Sequence, residues 1–99
     1  MKKDYKGQYC IVRTYSAGVF AGNVITRNGK EVEMENVRRL HYWDGAASLS
    51  QLAKEGVNRP QNCRFTVTVD SLEVLEAIEI IPCSELAEAN IKGVAEWKI

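Results

Sequence analysis

The segment RRLHYWD, Arg38 to Asp44, sets two guanidinium groups, the single histidine of the chain, two large aromatic rings and a carboxylate side by side. The small residues Gly45, Ala46, Ala47 and Ser48 follow at once. A nucleotide-type ligand asks for groups of this kind: a flat ring to stack on, a guanidinium for phosphate, and small polar groups to close the site. Tyr42 and Trp43 offer the rings, Arg38 and Arg39 the cations, and Asp44 and Ser48 the polar closure. A helix starting at Ala47-Ser48-Leu49 would add backbone N–H groups, and Gly45 to Ala47 would let a ligand come close to the chain. Arg13, Tyr15 and Ser16, with Thr14, form a second cluster of the same kind. The expected ligand-binding set is therefore Arg13, Tyr15, Ser16, Arg38, Arg39, Tyr42, Trp43, Asp44 and Ser48, provided the two clusters converge within one chain or across an interface between copies.

Each of these residues also has a purely structural use. Tyr42 and Trp43 suit a core or an interface. Arg38 and Arg39 can pair with Glu31, Glu33 or Glu35 across a sheet, Asp44 can cap a turn, and Ser48 caps a helix whether or not anything binds there. If the segment is extended, its two arginines point in opposite directions, so only one of them faces a given site.

Catalysis is not expected. One histidine cannot supply the two or three imidazoles of a catalytic metal site, and His41 has no independent nucleophile motif to serve. Cys10, Cys63 and Cys83 are odd in number, widely spaced and set among apolar or strand-forming residues, so they read as reduced, partly buried thiols. The Gly18-to-Gly22 stretch is too apolar for a phosphate cradle. No cofactor or metal is expected.

The elements that must hold these residues are mostly strands. QYCIVRTY, Gln8 to Tyr15, is rich in β-branched and aromatic residues, and Ser16-Ala17-Gly18 turns the chain. Val19 to Arg27 follows as a strand with Gly22 in its middle, a sign of a bend or a close backbone approach. Asn28-Gly29 predicts a type I′ hairpin turn into Lys30 to Asn36, with Val32 and Met34 on one face and three glutamates on the other. Unbroken alternation would carry Arg38, Leu40 and Tyr42 onto the Val32 face, where neither face is cleanly apolar; a kink near Asn36-Val37, or a strand with both faces covered by protein or ligand, would reconcile the pattern. Ser48 to Lys54 reads as a helix with Gln51 in the reciprocal capping position and Gly56 at its end. Asn58 to Asn62 is loop. Arg64 to Val69 reads as a strand; Ser71 to Ile81 is a longer strand candidate in which LEVLEAIEII could also be read as helix, its β-branched end and the Pro82 stop favouring the strand, and Ser84 caps a last helix, ELAEANIK, closed by Gly93. The expected fold is α+β, a strongly bent antiparallel sheet or small SH3/Sm-like β-barrel with two short helices, forming a single domain over residues 1–99.

Thirteen basic and 13 acidic side chains leave no net charge, which excludes general nucleic-acid binding and confines any anion site to a local patch. A domain this small buries only roughly 60–65% of its unfolded surface, so a homo-oligomer is expected. No apolar run approaches a membrane span, and no apolar segment follows the Met-Lys-Lys start to make a signal peptide. A cytoplasmic protein with no membrane partner is expected.

The stretches IVRTYSAGVFAGNV, ENVRRLHYWDGAASLSQLA and EAIEIIPCSELA together resemble a family of small, mostly uncharacterised proteins of tailed bacteriophages and prophages. The glycine-bent second strand, the Asn-Gly hairpin and VLEAIEIIP are similar in pattern to Sm-like, SH3-type small barrels, from which the inserted Ser48 to Asn62 departs. The phage resemblance implies a setting, the host cell cytoplasm, and a choice of roles. One is sequestration of a small nucleotide signal of host antiviral defence. The alternative is a protein-interaction module, either an inhibitor of a host defence protein or a minor virion or assembly component.

Overall fold

The computed structural model describes residues 5–99; the Met-Lys-Lys start lies outside them. Three long strands come first: β1 (Tyr9–Thr14), β2 (Val19–Asn28) and β3 (Glu31–Tyr42). Helix α1 (Leu49–Glu55) and a single 3-10 turn at Pro60–Asn62 lead to β4 (Arg64–Phe65), β5 (Val69–Val74), β6 (Ala77–Pro82) and helix α2 (Glu85–Gly93). The fold is α+β, as expected: a bent six-stranded antiparallel sheet with two helices. No helix among the described residues is long and apolar enough to cross a membrane.

The sheet runs β4-β3-β2-β1-β6, with β5 also paired to β3. Only Leu75 and Glu76 separate β5 from β6, yet these strands pair with β3 and β1 respectively. So short a connection bends the sheet round on itself. Tyr15 N donates to Glu76 O at 3.0 Å and Ala77 N to Lys30 O at 2.9 Å at that corner. No β5–β6 ladder forms, so the small barrel stays open.

Bending gives the sheet two buried faces. Val12, Phe20, Val24, Val32, Met34 and Val37 fill the concave side. Ile11, Ala21, Leu40 and Phe65 lie on the other side against Leu52, Ala53 and Ile91 of the two helices. Both faces of β1 are covered, which is why Tyr9, Cys10, Ile11 and Val12 are buried in succession rather than alternately.

A bulge in β3 sets the orientation of the arginine segment. Ala21 pairs with Arg38 and Asn23 with Glu35, so Gly22 alone faces Asn36 and Val37. Asn36 takes φ +50°. A Cβ on Gly22 would stand 2.7 Å from Val37 Cβ, so glycine is required there. The extra residue reverses the alternation. Val37 stays on the concave side with Val32 and Met34, while Arg38 and Leu40 turn toward the helices, opposite to the unbroken pattern.

Other boundaries move by small amounts. Asn28 pairs with Glu31, so the hairpin loop is Gly29-Lys30, and of these two only Gly29, at φ +62°, is left-handed; the turn is of the II′ kind rather than I′. The strand expected from Arg64 to Val69 stops at Phe65, because the Thr66 hydroxyl oxygen, rather than a ladder carbonyl, accepts from Arg39 N at 2.9 Å. The strand expected from Ser71 to Ile81 is divided at Leu75-Glu76, since its halves pair with opposite ends of the sheet. Both helix caps form as expected: Ser48 Oγ accepts from Gln51 N and Ser84 Oγ from Ala87 N. The Gln51 side chain, however, reaches Ala47 N rather than Ser48 N.

Candidate functional site

Arg38 is the clearest departure from expectation. It is 3% exposed, and its hydrogen bonds all go to backbone carbonyls: Nε to Thr66 O at 2.9 Å, Nη1 to Ile91 O and Val94 O at 2.9 Å each, and Nη2 to Phe65 O at 3.1 Å. Two of these carbonyls belong to the end of α2, where free C=O groups carry partial negative charge. Burial lowers its pKa, with Tyr9 and Glu96 opposing the shift. Arg38 joins helix to sheet and has no free edge for a phosphate.

The small-residue segment is equally committed. Trp43 packs, half-buried, against the cluster under the helices. Asp44 Oδ2 accepts from Asn62 Nδ2 at 2.9 Å and Oδ1 from Arg59 Nη1 at 3.2 Å. The Asn62 bond first, then Arg59, holds its carboxyl below the usual value against some desolvation. A Cβ on Gly45, at φ +100°, would run into Asn58 and the Arg59 backbone, so protein fills the space left for a ligand. Ser48 caps α1.

The first-turn cluster is paired with acids. Arg13 Nε bonds Glu79 Oε1 at 3.0 Å, and Ser16 Oγ donates to Glu76 Oε1 at 3.0 Å. Tyr15 stands 78% exposed beside them. Of the expected cations Arg13 alone is paired with an acid among the described residues; the Arg39 guanidinium has neither an acid nor a carbonyl partner there, and it lies 4.7 Å over the Phe20 ring. The nine expected residues are therefore not one pocket.

Tyr42 belongs to a different grouping. It pairs across the sheet with Arg64, whose guanidinium lies 6.0 Å from the Tyr42 ring centre and 5.6 Å from that of Trp97. His41 stacks on Trp97, centroids 4.9 Å apart and planes 12° apart. The backbone places Trp97: its N–H donates to Phe65 O at 2.8 Å, and Glu96 lies in a parallel bridge with Phe65. Four planar groups thus adjoin in the order Tyr42, Arg64, Trp97, His41. Tyr42 is 51% and Trp97 46% exposed. Glu96, the acid nearest in sequence, is paired with Lys98 at 3.3 Å, and Arg64 has no ion pair or hydrogen bond among the described residues.

Sequence reasoning missed Arg64 and Trp97. The usable signal was Tyr42 falling within reach of a short strand that begins with arginine, but Trp97 joins only through the chain after α2.

Such a ladder can take a flat ring on its exposed faces and an anion at the guanidinium edge. No curated protein and no solved structure matches the chain. A family model described as a domain of unknown function, DUF6948, matches residues 7–91, and the chain belongs to that family.

Proposed function

We propose that the protein is a binding module for a small nucleotide-type anion, with the Tyr42, Arg64, Trp97 and His41 ladder as its recognition surface. The observation that carries this reading is the Arg64 guanidinium set between two half-exposed rings, with no acid paired to it among the described residues. A nucleobase extends the stack, and its phosphate takes the charge-assisted hydrogen bonds that Arg64 leaves unmade. The ladder brings no nucleophile and base together, so the ligand is held without turnover. In the phage setting that the sequence resemblance implies, such binding withdraws a host antiviral signal. The platform is one-sided, and a second copy closing over it gives the expected homo-oligomer.

The test is a thermal-shift screen against mononucleotides and cyclic dinucleotides, followed by recovery of the ligand and measurement of mass in solution with and without it. A ligand at 100 times its Kd should add ~2.7 kcal/mol of stability, and Arg64→Ala should abolish the shift. No shift with any nucleotide would reject the reading; altered ligand would make the protein an enzyme. Tryptophan, tyrosine and arginine are also the residues that dominate protein interfaces. Binding to a protein partner that Arg64→Ala abolishes, without any nucleotide response, would establish the interaction-module alternative.

A further inference from the structure

Arg39 lies on the other side of β3 from Arg38, and its surroundings differ from the ladder. Two cavities flank it. One, of about 250 Å³, opens between Phe20, Leu72 and Leu75 and has Glu73 and Glu76 on its wall. The other, of about 210 Å³, opens between Val37, Val67 and Val69. Phe20, Arg39 and Leu72 line both, so the two are lobes of one groove with a cation in its middle.

We infer that this groove is a second binding site, distinct from the ladder, for a monocarboxylic acid with a compact apolar body. The walls are largely aliphatic and aromatic carbon, which favours an apolar body. The guanidinium has no acid at hydrogen-bonding distance among the described residues, is steadied by the Phe20 ring beneath it, and presents a fork that fits a carboxylate through two parallel bonds. Two acids on the wall of one lobe set the charge limit. Glu73 is exposed, and Glu76, which accepts from Ser16, has no cation partner among the described residues. A doubly charged phosphate entering beside them meets like-charge repulsion that a single carboxylate meets only in part. The same reasoning separates the two sites: the ladder has an open cation with no unpaired acid beside it and suits phosphate, whereas the groove suits a monoanion.

The test titrates the whole protein with phenylpropanoate, phenylpropanol, phenylpropylamine and phenyl phosphate, following backbone amide signals by NMR. Phenylpropanoate is expected to shift the amides of Val37, Val69 and Leu75, and to bind about tenfold or more tightly than the alcohol and the amine. Arg39→Gln should remove that preference, Leu72→Trp should block binding by filling both lobes, and Arg64→Ala should change nothing. Equal binding of acid and alcohol, a preference for phenyl phosphate, retention of the preference in Arg39→Gln, or no saturable response at millimolar acid would each overturn the assignment. Because Arg39→Gln alters an exposed side chain and Leu72→Trp a half-buried one, the first keeps the test open if the second does not fold.

Discussion

Arg38 and Arg39 are adjacent and chemically identical, yet their substitution should have very different costs. Alanine at 38 takes the guanidinium donors from the carbonyls of Phe65, Thr66, Ile91 and Val94, of which Phe65 O keeps Trp97 N and Ile91 O keeps Val94 N, in a largely buried region. Each buried group left unpaired costs about 1–3 kcal/mol, so Arg38→Ala should lower stability by ~3–5 kcal/mol once the site relaxes. Arg38→Lys should recover only part, since an ammonium cannot reproduce the planar fork. Arg39→Ala loses one ring contact at an exposed position, about 0.5–1 kcal/mol. Urea denaturation midpoints for the three variants check this order. The same contrast explains why the arginine pair could not be sorted from sequence: strand alternation says that neighbours face opposite ways, not which of the two faces is closed by a helix.

At the scale of elements, the bulge opposite Gly22 decides most of what β3 does. Gly22→Ala places a methyl against Val37 Cβ and Cα, at 2.7 and 2.8 Å, where backbone must move. The expected cost is about 1–3 kcal/mol, read as a drop in denaturation midpoint. The loss of amide protection from hydrogen exchange should centre on Asn23, Glu35 and Val37. A second element-scale link joins the helices: Asn90 Oδ1 accepts from Val57 N and Asn90 Nδ2 donates to Val57 O, both at 2.9 Å. Asn90→Leu should therefore destabilise by about 1–3 kcal/mol although leucine is the better helix former, because two backbone groups lose their partners. Equal stability of this variant in thermal denaturation would show that water replaces the asparagine. The glycine in the strand and the kink were readable in the sequence; the division of Ser71 to Ile81 into two strands was not, since it depends on which neighbours the halves find.

At the scale of the whole molecule, a buried phenol and a half-buried thiol, both held neutral, tie stability to alkaline pH. Burial pushes the Cys83 thiol up to about 12 from 9.0, with Cys10 and Glu88 adding to the shift. Burial first, then Cys83, raises the Tyr9 phenol above its ordinary value, against the pull of Arg38. Both groups hold their protons more tightly folded than unfolded, so on raising the pH the unfolded chain ionises first. Stability from these groups is complete below about pH 9 and is lost as pH rises toward 12. The urea midpoint should be level from neutral pH to about 9 and fall above it, with a smaller fall in Cys83→Ala. A midpoint independent of pH in that range would mean that the buried groups ionise as easily in the folded protein as outside it. For the same reason Cys83 should resist thiol reagents at pH near 8 until the chain unfolds.

The sequence by itself determined the local structure: strands where β-branched and aromatic residues alternate, serine caps at both helices, glycine where backbones approach, and a kink where alternation failed to give a clean apolar face. These follow from interactions within a few residues, and they survive except where strand pairing ends the Arg64 strand at Phe65 and divides Ser71 to Ile81. Only the tertiary structure decided the chemistry of the side chains. Whether Arg38 is a phosphate ligand or a clamp on α2 depends on carbonyls at the end of a helix, 53 and 56 residues away, and the contact of Arg64 with Trp97 depends on the chain that follows that helix. An arginine becomes structural when its donors are all met by buried carbonyls and available when they are not, and that count is set by the sheet bending and the chain end returning to β4.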